Sequence, residues 1–141
     1  MNGPFPPATV TSSLDLRLVM PGSEAVPVPA ALRYDSSDPY AVHVTFHTGA
    51  GEAVEWVFAR ELLSSGLHHR TGDGDVTVWP SGSRRSRTVC IGLTSPSGSA
   101  VFEAPADSIL DFLTRSYGAV PPGAESAYVD VDTTLTRLLA S

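Results

Sequence analysis

Two histidines four residues apart, His43 and His47 in RYDSSDPYAVHVTFHTG, are the first candidates for chemistry in this chain. On a helix that spacing places two imidazoles on one face, where they can share a zinc ion. The surrounding residues decide otherwise. Tyr40, Val42, Val44 and Phe46 alternate with Ala41, His43, Thr45 and His47, a period of two that predicts a strand with Tyr40 to Phe46 as its core face. Along a strand the two histidines stand about 13 Å apart, whereas each zinc–nitrogen bond is only about 2.0 Å. They read as the polar face of a strand. His68 and His69 are adjacent, point apart, and follow a helix end where an imidazolium suits the dipole. TGDGDV begins like a calcium loop at Asp73 and Asp75, but the twelfth position is Arg84 where a bidentate glutamate is required. No nucleophile elbow, phosphate-binding loop or dinucleotide fingerprint occurs. The reading is of a protein without catalytic residues, metal or cofactor.

The elements that hold these residues follow from the same periodicities. Residues 1–12, rich in Pro, Ser and Thr, read as a flexible arm, and residues 13–141 as a single domain. Leu14, Leu16, Leu18 and Met20 alternate with polar neighbours in a half-buried strand. PGSEAVPVPA carries three prolines, which argue against a central strand and for an extended connection into a short strand near Ala31 to Tyr34. After the SSDP turn come two strands in a hairpin, the second bearing Val54, Trp56 and Phe58. RELLSSG reads as a short helix with Gly66 as its C-cap. The second half repeats the plan: GDVTVWP, closed by Pro80; RTVCIGLT; SAVFEA; then the helix PADSILDFLTRSY ending before Gly118. YVDVD leads into a last short helix, TTLTRLLA. Strands followed by helices, twice, mean an α+β fold rather than a Rossmann alternation.

The 141 residues suffice for one cored domain, and 42% hydrophobic with 17% charged residues is a globular composition. A net charge of -6 argues against a chain-wide claim on nucleic acid, which wants a positive surface. All nine basic residues are arginine, a usage that fits a GC-rich genome. The single cysteine, Cys90, permits no intrachain disulfide and fits a reducing interior. The N-terminus lacks the basic and apolar regions of a signal peptide, and no apolar run reaches the ~20 residues of a membrane span.

One charged feature stands apart. SGSRRSRT sets Arg84, Arg85 and Arg87 in a Gly/Ser-flanked loop of an acidic chain. It reads either as a solvated hairpin loop or as a docking point for an acidic or phosphorylated partner, since guanidinium forks fit carboxylates and phosphates. Trp79 in VTVWP joins the candidate partner-binding residues, as tryptophan is enriched at interface hot spots, with a plain core role as the alternative. A single-stranded nucleic-acid binder would use these arginines with Trp79 or Tyr40 for stacking. A hydrolase acting on the cell wall finds no supporting motif.

VPVPA, LRYDSSDPYAVHVTFHTG, VEWVFARELLSSGL, GDVTVWP, EAPADSILDFL and AVPPGAES, in this order, resemble the SsgA-like proteins of sporulating actinomycetes from about Leu14 onward. The resemblance implies a non-enzymatic regulator of sporulation-specific cell division. It implies marking of septum sites, recruitment of FtsZ in concert with an SsgA-type paralogue, and a cytoplasmic location at the septum. For the fold it implies a Whirly- and guide-RNA-binding-protein-like body: about seven strands in a barrel-like arrangement of two sheets, two to three short helices, and assembly into a homotrimer. The arm matches no motif of that family, and the arginine loop lies in a region expected to vary, so its arginines are not carried over from the family.

Overall fold

A computed structural model describes residues 8–20, 22, 24–49, 51–72 and 74–129. Seven strands, β1 (Thr9–Val19), β2 (Val26–Asp35), β3 (Ala41–Gly49), β4 (Glu52–Ala59), β5 (Val76–Gly82), β6 (Arg87–Ser95) and β7 (Gly98–Pro105), form one antiparallel sheet. Their order is β4-β3-β2-β1-β7-β6-β5. Helix α1 (Arg60–Ser65) follows β4, helix α2 (Ala106–Ala119) follows β7, and a 3-10 turn spans Glu125–Tyr128. The α+β reading holds, with a single sheet in place of two. The final helix read at TTLTRLLA lies outside the described residues.

The sheet is curled, and one contact shows by how much. β3 and β7 are separated by β2 and β1, three strand steps that a flat sheet would spread over about 14 Å. Yet the rings of Phe46 and Phe102 stack with centroids 4.5 Å apart. The inward faces of the two halves therefore meet in one core, a half-barrel. Leu16, Leu32, Val44, Val89, Ile91 and Leu93 fill it, and α2 adds Ile109, Phe112 and Leu113. Curling separates β1 from β7 along most of its length: they pair only from Arg17 to Val19. α2 covers the gap, where the Arg115 guanidinium donates to the Thr11 carbonyl at 2.9 Å and to the Ser12 hydroxyl.

Four expectations need correction. β1 starts at Thr9, inside the stretch read as an arm; β-branched Thr9, Val10 and Thr11 pair with Asp35, Tyr34 and Arg33. β2 is an interior strand despite Pro27 and Pro29. Its ladder to β3 covers only Ala30 to Arg33, so among the described residues both prolines pair with β1 alone and their missing N–H groups cost no ladder bond. Tyr40 is 55% exposed, because it belongs to the turn and the alternating core face starts at Val42. Gly118 lies within α2, whose end is held from outside by Arg60.

Gly66 caps α1 with φ −65, a right-handed conformation open to any residue. Its requirement is spatial. A Cβ there would lie 2.2 Å from Val78 Cγ1 and 2.5 Å from Val78 Cβ, and Val78 is buried in β5. Gly66→Ala is expected to destabilise the fold by about 1–3 kcal/mol through overpacking, read as a lower urea midpoint at constant m-value.

Candidate interaction surface

The histidine pair is resolved by its neighbours. His43 lies on the outward face of β3, its Nε2 3.4 Å from Asp38 and its Nδ1 3.5 Å from Glu55. The two ring nitrogens face carboxylates in opposite directions, so the three groups do not converge. Among the described residues no group of three or more His, Cys, Asp or Glu side chains is placed to hold a metal ion. Asp73 of the calcium-like stretch lies outside the described residues. Cys90 is a buried free thiol whose pKa burial raises.

Trp79 is neither deep core nor a bare anchor. It is half-buried on β5 and lies across Gly92 of β6, where a Cβ would stand 3.0 Å from the indole. The Arg70 guanidinium sits over the ring at 4.6 Å from its centroid. Aromatic cover of a strand glycine and a cation–π contact hold the indole within its own sheet.

The three arginines cluster as the sequence places them. Gly82 and Arg87 are the last pair of the β5–β6 ladder. Between them the Ser83 N–H donates to the Ser86 carbonyl at 3.2 Å, and the Ser86 N–H donates back to the Ser83 carbonyl at 3.2 Å. Gly82 takes φ +82, and a Cβ there would meet the Ser86 carbonyl at 2.2 Å, so the tight closure demands glycine. This hairpin presents Arg84 and Arg85 at its tip and Arg87 at its root, all exposed. With Ser81, Gly82 and Ser83, Arg84 and Arg87 line a shallow open concavity. Arg33, Arg60 and Arg115 form ion pairs; Arg84, Arg85 and Arg87 form none among the described residues.

Sequence reasoning missed Arg60. It is 2% exposed at the head of α1 and gathers three elements. Nη1 donates to the Val120 carbonyl at 2.8 Å, and to the Ser116 carbonyl and hydroxyl at 3.2 and 3.3 Å; Nη2 donates to Glu125 at 2.9 Å. The guanidinium lies over the rings of Tyr34 and Tyr117, 4.6 and 5.0 Å from their centroids. Carbonyls at the C-terminal end of α2 thus find a positive partner, as the helix dipole favours. Hydrogen bonding to Arg60 holds the Glu125 carboxyl below its ordinary range, while burial pushes the Tyr34 phenol up to about 12 against the opposing charge of Arg60. Only one signal in the sequence hinted at this: an arginine directly between a strand and an apolar helix.

The family described as "Streptomyces sporulation and cell division protein, SsgA" matches residues 28–125, from within β2 to the start of the 3-10 turn. The chain belongs to the SsgA family. It is 58% identical over 132 residues to the sporulation-specific cell division protein SsgB of Streptomyces coelicolor, covering 94% of this chain and 96% of that one. It is 52% identical over 131 residues to SsgB of Frankia casuarinae, covering 93% and 92%. A solved structure described by mutations in SsgB that correlate to longitudinal cell division in S. coelicolor superposes with TM-score 0.83 at 58% identity, covering 86% of this chain and 96% of that one. The SsgA-like sporulation-specific cell division protein of Thermobifida fusca gives 0.84 at 44% identity, covering 92% and 95%. SsgA family membership makes this a cell-division protein rather than a member of an enzyme family. Among the described residues no helix is long and apolar enough to cross a membrane.

Proposed function

We propose that this chain is a non-enzymatic regulator of sporulation-specific division that works at the septum, on the cytoplasmic side, by recruiting FtsZ. The observation that carries the site is the β5–β6 hairpin: three arginines that form no ion pair among the described residues, on a hydrogen-bonded tip, in a chain of net charge -6. Such a tip attracts carboxylate-bearing segments, and its closed geometry limits the entropy lost on binding. Trp79 flanks it with a ring engaged by Arg70. Its part in binding is to stiffen β5 rather than to insert into a partner.

Assembly into a trimer of Whirly-like subunits, as the resemblance to the SsgA-like proteins implies, would present three hairpins at once. Multivalency then gives grip on a filament from weak single contacts. An SsgA-type paralogue would act as a second partner. Single-stranded nucleic-acid binding finds less support: the net charge is negative, and Trp79 is not a free stacking platform.

The test is co-sedimentation with FtsZ polymers. Arg84→Ala, Arg85→Ala and Arg87→Ala together are expected to weaken binding on the order of ten-fold and to flatten its salt dependence, with the melting temperature unchanged. Equal sedimentation of the triple variant removes the hairpin as the site. Absence of the parent protein from the pellet refutes direct recruitment.

A further inference from the structure

Besides its three guanidinium groups, the β5–β6 hairpin carries four hydroxyls: Ser81, Ser83, Ser86 and Thr88. Docking through charge leaves them without a role, and their surroundings set one apart. Thr88 Oγ1 is buried, without a hydrogen-bond partner among the described residues. Ser81 pairs with Thr88 in the β5–β6 ladder, and Ser83 Oγ accepts the Ser86 N–H at 3.2 Å. Ser86 is exposed, and among the described residues its hydroxyl takes part in no hydrogen bond. Arg84 and Arg85 stand directly before it and Arg87 directly after it. A serine framed by arginines suits a kinase whose substrate cleft is lined with carboxylates. The tip closes on two surface backbone bonds, Ser83 to Ser86 and back, while Val89 beyond the ladder's end is fully buried. The tip can therefore open into the extended form a kinase cleft takes while the core stays closed.

We infer that Ser86 is a phosphorylation site for a protein kinase selective for basic segments, and that its phosphate turns the arginine hairpin off. This rests on the reading of that hairpin as a docking point for carboxylate-bearing segments. In the transfer the Ser86 Oγ–P bond forms as the bond from the γ-phosphorus of ATP to its bridging oxygen breaks. ADP leaves, and the hydroxyl proton passes to the kinase's own base. The product carries a charge of about −1.5 to −2 among three arginines, which lowers the tip from three positive charges to about one. Its oxygens also give the forks of Arg85 and Arg87 an internal partner, in competition with an external carboxylate.

The full chain, incubated with Mg²⁺, ATP and a phosphatase-inhibited lysate of sporulating Streptomyces coelicolor, is expected to gain one phosphoryl group. Peptide mass spectrometry should place it on Ser86, and Ser86→Ala should lose it. Neither tip bond uses the Ser86 side chain, so that variant keeps the fold. The phosphorylated chain is expected to bind immobilised polyglutamate roughly five-fold more weakly than the parent at low salt. Ser86→Glu, with one added charge, should show a smaller loss, and Ser86→Ala none. Phosphate on Ser83 or Thr88 in place of Ser86, no phosphate at all, or unchanged polyglutamate binding by the phosphorylated chain overturns the inference. Neither readout contains FtsZ, so their failure leaves recruitment standing, and a failure of recruitment leaves both readouts standing.

Discussion

Arg60→Ala is expected to lower stability by about 3–5 kcal/mol, the cost of breaking a buried ion pair and stranding its partners. Four groups lose a donor together: both Ser116 acceptors, the Val120 carbonyl and Glu125. The Ser116 and Val120 acceptors are desolvated by the same packing that hides Arg60, so water replaces their lost bonds poorly, while Glu125 keeps partial access to water. A melting temperature lower by on the order of 10 °C should result for a domain of this size. Glu125→Gln keeps the guanidinium and its carbonyl acceptors, and should cost about 1.5–3 kcal/mol as one charge-assisted bond weakens. The pair of variants also predicts a pH signature. The folded carboxyl of Glu125 titrates below its ordinary value of 4.5. Its contribution is complete above that ordinary value and is lost as pH falls through the lowered one. The acid-side decline in stability should therefore be shallower in Glu125→Gln than in the parent. If Arg60→Ala melts with the parent, the three-element junction does not hold the helices.

This junction was barely legible in the sequence for a physical reason. Arg60 is more than 50 residues from Ser116, Val120 and Glu125 along the chain, and no periodicity announces a buried cation. What the periodicities did carry was local. The period-two runs of Val42–Phe46 and Val89–Leu93 are strands, and Ile109, Phe112 and Leu113 form the buried stripe of α2, because those patterns answer to one face of one element. The failures sit where a neighbour decides. Pro27 and Pro29 are tolerated because the ladder to β3 ends at Ala30, a fact of sheet curvature. Trp79 is drawn onto its own sheet by Gly92 across the ladder and Arg70 from the α1–β5 connection. Of the candidate surface, the arginine cluster was legible because hairpin residues stay close in space whatever the sheet does. What sequence could not convey is the turn that locks the tip, which depends on Gly82 meeting Ser86.

The curl itself yields the second large effect. Phe46→Ala and Phe102→Ala are each expected to cost about 3–5 kcal/mol, since both rings are buried and the hole cannot collapse against two sheet halves. The informative quantity is their coupling. In a flat sheet the two residues would be about 14 Å apart and their losses would simply add. With rings stacked at 4.5 Å, the double variant should be less damaging than the sum by about 0.5–1.5 kcal/mol. Strict additivity would mean that the halves do not meet through this pair in solution. The consequence reaches the hairpin. β5 and β6 belong to the half that contributes Phe102, while β4 ends the half that contributes Phe46. Their contact sets the angle at which the arginine tip stands relative to the body. Phe102→Leu keeps an apolar group and most of the volume but removes the stack. It should retain the fold and loosen that angle, visible as broadened amide resonances at Ser83 to Ser86 before any change in melting temperature approaches that of the alanine variant.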